Sequence, residues 1–65
     1  MNFGANLREL REKRNLTQSQ VAEKVGVSTG AIAQYELAIK SPSITVAERI
    51  AEALGVSIME LLKNR

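Results

Sequence analysis

Apolar residues recur along nearly the whole chain at the three- and four-residue spacing of amphipathic helices, and no stretch alternates cleanly enough to form a pair of strands. The pattern predicts five short helices. The first covers about residues 3–14, with Phe3, Leu7 and Leu10 on one stripe, Arg8, Glu9, Glu12 and Lys13 on the other faces, and Asn2 available as N-cap. Thr17 and Gln20 have the spacing of a capping box, the hydroxyl serving the Gln20 amide while the Gln20 side chain reaches back, so the second helix starts there. It buries Val21, Ala22 and Val25 and stops at Gly26, the residue that best takes the left-handed backbone ending a helix. Ser28 caps a third helix over about residues 29–37, with Ile32, Tyr35 and Ala31 inward and Thr29 and Gln34 outward. Residues 38–42 carry no stripe and end in Ser41 and Pro42, which reads as a loop. A fourth helix begins near Ser43 or Thr45, the latter in capping-box register with Glu48. It turns Ile44, Ala47, Ile50, Ala51 and Leu54 inward and stops at Gly55. Ser57 and Glu60 form a third box opening the fifth helix, whose Ile58, Leu61 and Leu62 complete the core. The expected fold is a compact all-α domain of five helices covering residues 1–65, without repeat or linker.

Composition narrows the function classes. With no cysteine and no histidine among 65 residues, disulfide staples, structural zinc and the commonest general base are all missing. The seven acidic residues are spread along solvated helix faces. Catalysis is therefore the least supported class, and no cofactor, metal or small-molecule ligand is expected. No apolar run is long enough to span a bilayer, and no basic start precedes one, so a soluble, cytoplasmic setting is expected. The net charge of +2 permits an anionic partner without identifying one. Its distribution is more informative: Arg8, Arg11, Lys13, Arg14, Lys24 and Lys40 face Glu9, Glu12, Glu23 and Glu36 in the first forty residues, whereas the remainder is balanced.

The informative pattern is the helix pair around Val25, Gly26 and Val27. A turn this short cannot lay two helices antiparallel, so they must cross steeply and the second protrudes, with Ala22, Val27 and Ile32 at the crossing. Such pairs also occur as plain scaffold.

The run LTQSQVAEKVGVSTGAIAQYE, then Lys40, Ser41 and Pro42, then ITVAERIAEALGVSIMELL, resembles the Cro and phage-repressor type helix-turn-helix family from about Leu7 to Leu62. The resemblance implies a five-helix, lambda-repressor-like DNA-binding domain, dimeric on a palindromic double-stranded operator, whose helix-turn-helix spans residues 17–37 and reads the major groove with the third helix. Position by position, it implies base contacts from Thr29, Gly30 and Gln34. It also implies a phosphate contact from Gln18, where helix-start amides and the dipole favour an anion, with Thr17 and Ser28 beside it. Lys40 and Ser41 match the loop that meets the backbone on the far side of the groove. Tyr35 is core by type, with a hydroxyl that could reach a phosphate. Arg11 and Glu36 match a structural ion pair joining the first helix to the end of the third.

Two positions depart from the family pattern. Ala38 stands where the family often has glycine, which predicts a rearranged exit or an extended third helix. Gly30 removes a side chain from a reading position and costs about 0.5 to 1 kcal/mol within a helix. Together with the apolar Leu37 and Ile39 it keeps open a second reading, a protein-interaction module of the same fold such as the small partner of a toxin. For the regulator reading, Gln34 and Thr29 imply an A·T-containing half-site, and the apolar pair Met59 and Leu62 implies a weak homodimer that DNA completes.

Overall fold

The computed structural model describes residues 2–64, which form five helices: α1 (Phe3–Lys13), α2 (Gln18–Val25), α3 (Thr29–Glu36), α4 (Ile44–Leu54) and α5 (Ile58–Leu62). Local chemistry sets most boundaries. At α2 the capping box is complete, with the Gln20 amide donating to Thr17 Oγ1 at 3.0 Å and the Thr17 amide donating to Gln20 Oε1 at 2.8 Å. Ser28 accepts from the Ala31 amide at 3.0 Å to start α3. Gly26 and Gly55 end α2 and α4 with φ of 87° and 70°, a region open to glycine because it has no Cβ to crowd the carbonyl.

Several boundaries differ from those the pattern predicts. Ser43, not Thr45, caps α4, accepting from the Val46 amide at 3.2 Å. Ile44 thus becomes the first helical residue and is 72% exposed rather than inward. The stripe that reaches the core begins one turn later, at Val46 and Ala47. Ser57 occupies the N-cap of α5 without a side-chain cap bond, and Glu60 pairs with Lys63 at 3.3 Å instead of closing a box. Asn2 likewise makes no cap bond. The exit of α3 is neither rearranged nor extended: the helix ends at Glu36, and Ala38 itself adopts φ 59°.

The helices enclose one core of Leu7, Val21, Ala22, Val25, Ile32, Tyr35, Ile50, Ala51, Leu54 and Leu61. Full burial of each large aliphatic side chain stabilises by roughly 1.5 to 3 kcal/mol. α1 packs on α3 and α5, α2 on α3 and α4, and α4 on α5, so α3 is supported along its inner side by two helices. Two residues that the hydrophobic pattern passes over complete this packing. A Cβ on Gly4 would stand 2.6 Å from the Glu36 carbonyl oxygen and closer still to that of Tyr35, so the first turn of α1 sits directly on the end of α3. Asn6, 1% exposed, donates through Nδ2 to the carbonyls of Leu61 and Lys63, both at 2.9 Å. It satisfies carbonyls that the short α5 leaves open at its C-terminus.

Candidate nucleic-acid interface

The turn between α2 and α3 is compact because one carbonyl serves it twice: the amides of Gly26 and Val27 both donate to Ala22 O, at 2.8 and 3.1 Å. Ala22 is buried, Val27 is half-buried against the core, and Ile32 is fully buried. With Ile32 and Tyr35 directed inward, the opposite side of α3 carries Thr29, Gly30 and Gln34, all exposed. Gly30 is instructive. A Cβ there would meet only Ser28 Oγ, at 3.9 Å, and its φ is not positive. The fold places no demand for glycine at this site, although glycine weakens a helix. What glycine does provide is a flat, bare patch of backbone between two polar side chains.

The starts of α2 and α3 carry hydroxyl groups and free amides. Thr17 and Ser28 are exposed at their helix starts, and each hydroxyl oxygen accepts a bond from its own helix, which leaves the hydroxyl proton to be donated outward. The first amides of α2 have no intrahelical acceptor and lie at the positive end of the helix dipole. Beyond the C-terminus of α3, Lys40 and Ser41 are exposed in the loop. Tyr35 is a core residue, 8% exposed, and does not join the exposed set.

The face is braced from behind by an ionic cluster. Arg11 donates side-on to Glu36, Nε to Oε2 at 2.6 Å and Nη2 to Oε1 at 3.2 Å, while Nη1 donates to the Leu16 carbonyl at 2.8 Å. The side chains are 12% and 4% exposed. The hydrogen bond to Glu36 raises the Arg11 pKa above the ordinary guanidinium range, against the opposing effect of burial and with the charges of Glu36 and Glu12 adding to it. Gln18 joins the cluster, Nε2 donating to Glu36 Oε1 at 3.0 Å. This bond fixes the start of α2 to the end of α3, and no spacing in the sequence announces it.

Residues 7–61 match the helix-turn-helix family. The chain belongs to that family. Among relatives of this helix-turn-helix chain, the cryptic phage CTXphi transcriptional repressor RstR of Vibrio cholerae is 36% identical over 62 residues, covering 95% of this chain and 56% of that protein. The immunity repressor protein of Bacillus phage phi105 is 34% identical over 62 residues, covering 95% of this chain and 43% of that one. The helix-turn-helix chain therefore spans about half the length of these curated relatives. Among solved structures, the P22 c2 repressor in complex with synthetic operator 9T superposes with a TM-score of 0.91 at 31% identity, covering 100% of this chain and 98% of that one. The biofilm regulator SinR in complex with DNA gives 0.87 at 29% identity, covering 94% and 98%. The fold is thus the lambda-repressor-like arrangement, with α2 and α3 as the helix-turn-helix.

Thr17, Gln18, Ser28, Thr29, Gly30 and Gln34 lie on α2, α3 and their N-caps, and Lys40 and Ser41 lie in the loop that follows α3. Gly4 and Asn6 escape a reading of the sequence because neither carries an apolar signal. The available clues are a glycine in the first turn of α1 and an asparagine next to Leu7 on its inward stripe.

Proposed function

We propose that the chain is a sequence-specific double-stranded DNA-binding transcriptional regulator, a repressor, that inserts α3 into the major groove. The observation that carries this reading is the bare, exposed face of Thr29, Gly30 and Gln34, set on a braced helix and flanked by outward-donating caps and by Lys40. Eight helical residues at 1.5 Å each make a rod of about 12 Å, comparable to the width of the groove. Gln34 offers a donor and an acceptor for adenine, and the Thr29 methyl fits the thymine methyl. Thr17, Ser28, Lys40 and Ser41 hold the phosphates together with Gln18, through the one Nε2 proton that its bond to Glu36 leaves over, and the bare backbone at Gly30 lets DNA shape contribute. The likeness to the P22 c2 repressor bound to operator, over essentially the whole of both chains, supports the same conclusion.

The operator is palindromic and the protein binds it as a weak homodimer. Half-sites one turn apart lie about 34 to 36 Å from centre to centre. The longest dimension of the molecule is 26 Å, so facing copies meet only at their edges through protruding side chains. Met59 is 68% exposed and Leu62 is half-buried, a small surface consistent with weak association.

Selection on random duplexes, followed by fluorescence anisotropy on the selected site, tests this reading. Gln34→Ala costs about 1 to 3 kcal/mol on the best site and relaxes the preference at one base pair, whereas Gln18→Ala weakens all duplexes alike. An identical sequence logo for wild type and Gln34→Ala removes base reading by Gln34. Leu37 and Ile39, 66% and 69% exposed, favour the interaction-module alternative. That alternative prevails if the protein binds no duplex even at low salt.

A further inference from the structure

Each of the first four helices leaves through a residue with positive φ: Asn15 at 55°, Gly26 at 87°, Ala38 at 59° and Gly55 at 70°. At each exit the next amide reaches the carbonyl five residues back. Leu16 donates to Arg11 at 3.1 Å, Val27 to Ala22 at 3.1 Å, Ile39 to Gln34 at 2.9 Å and Val56 to Ala51 at 3.0 Å. Glycine takes this geometry freely and asparagine tolerates it, but the alanine Cβ is crowded by its own backbone. Strain of this kind persists only where the surroundings over-determine it. The α3 exit supplies that extra determination, because the Lys40 amide also donates to the Gln34 carbonyl, at 3.3 Å, whereas the bond from the Ala38 amide to Tyr35 O, at 3.2 Å, only repeats those of Asn15 to Glu12 and of Gly55 to Glu52. The acceptor shared by Ile39 and Lys40 belongs to Gln34, whose side chain occupies the exposed face of α3.

We propose that Ala38 is a positioning residue for DNA binding: its left-handed backbone hangs the Lys40–Ser41 loop from the Gln34 carbonyl, so that the phosphate contacts of the loop and the base contact of Gln34 move as one rigid unit. This rests on the reading of α3 as the reader helix. A loop free to swing would lose conformational freedom on meeting the backbone, and a loop already fixed to the reader helix does not. The register between Lys40 and the bases is then set by a single carbonyl rather than by a flexible connection.

The test combines Ala38→Val, Ala38→Gly and Lys40→Ala, measured by anisotropy on the selected and on random duplexes between about 50 and 200 mM salt, the range over which phosphate contacts are most visible. Thermal melting of each variant accompanies the binding measurements. A β-branched residue does not sit at positive φ, so Ala38→Val frees the loop. Its affinity falls by the same factor on every duplex, its log–log salt slope is shallower by about 1 for each phosphate that the loop ceases to neutralise, and its sequence logo stays that of the wild type. Lys40→Ala, which weakens the wild type, has no further effect in the Ala38→Val background. Ala38→Gly, which keeps the backbone, keeps the wild-type slope. A folded Ala38→Val protein with the wild-type slope, or a Lys40→Ala effect of equal size in both backgrounds, overturns the proposal.

If Ala38→Val does not fold, amide hydrogen exchange on the wild type decides. The Ile39 and Lys40 amides are slowed by duplex to the same degree as those of α3, and independent behaviour of the two segments overturns the proposal. A wild-type chain silent on every duplex defeats the DNA-binding reading instead. Exchange in the free protein then still decides whether residues 39 and 40 move with α3, and loop amides exchanging much faster than those of α3 overturn the rigid unit itself.

Discussion

Two turns in this molecule are built from nearly the same four residues. Val25-Gly26-Val27-Ser28 joins α2 to α3 and Leu54-Gly55-Val56-Ser57 joins α4 to α5. Their backbones agree closely: the glycines have φ and ψ of 87° and 30° against 70° and 32°, and the serines −75° and 156° against −77° and 158°. Yet one turn launches an eight-residue helix with a bare outer face and the other a five-residue helix whose Leu61 is completely buried. The turn determines the direction in which the chain leaves. What the next helix does is decided at its far end, where different partners wait. α3 is held through Glu36 by Arg11 and Gln18, side chain to side chain, which anchors the helix and leaves its outer face bare. α5 is held through its own carbonyls by Asn6, which draws the end of the helix into the body of the protein.

Removing the two anchors separates their roles, and the largest effect belongs to α3. Arg11→Ala leaves the Glu36 carboxylate, 4% exposed, without its cation, at a cost of about 3 to 5 kcal/mol. That is a large share of the roughly 3 to 10 kcal/mol expected for a chain of this length. Urea denaturation should show the midpoint collapse, and an unchanged midpoint removes the brace from the account. Asn6→Ala strands the buried carbonyl of Leu61, at about 1 to 3 kcal/mol if left unpaired, and returns the part-exposed carbonyl of Lys63 to water. Hydrogen exchange should show α5 opening first while α2 and α3 stay protected. Simultaneous loss of protection in both regions would mean that the anchors are not separable.

The turns themselves should respond equally in stability and unequally in function. A Cβ at either Gly26 or Gly55 meets no atom within 4 Å, so Gly26→Ala and Gly55→Ala each cost only the left-handed backbone penalty, about 1 to 2 kcal/mol. Thermal melts of the two variants should nearly coincide. Gly26→Val and Gly55→Val, whose β-branched side chains do not sit at positive φ, displace the turn itself, and duplex affinity, measured under conditions where both are folded, should fall only for Gly26→Val, because only that turn aims the proposed reader helix. Equal losses of affinity would refute the division of labour.

The smallest expected effect is with pH. Arg11 has a raised pKa in the folded chain, so its stabilising contribution is fully present below the unfolded guanidinium pKa and is lost only as the pH climbs through the still higher folded value. The difference in midpoint between wild type and Arg11→Ala should therefore stay constant from neutral to about pH 10, well below where a guanidinium titrates. A difference that shrinks over that interval would assign the effect to another group.

The chain's own pattern determined the number of helices, the capping of α2 and α3, the stops at Gly26 and Gly55 and most of the core, because each depends on residues within about a turn of one another. The positions of the candidate interface residues were legible only through resemblance to a family, since spacing alone cannot distinguish a helix pair that reads DNA from one that only packs. Where the local signals competed, as between Ser43 and Thr45 at the start of α4, tertiary packing chose, and Ile44 was left in solvent. The bonds that orient the helices join residues far apart in the chain: Gln18 to Glu36 across 18 positions, Arg11 to Glu36 across 25 and Asn6 to Leu61 across 55. The close seat of Gly4 on the end of α3 has the same origin, since the carbonyls it meets belong to Tyr35 and Glu36. A residue's local preference states what it tolerates, and only the assembled body states what it must accept: glycine weakens the first turn of α1 locally, and the carbonyls of Tyr35 and Glu36, brought against it from the end of α3, leave room for nothing larger.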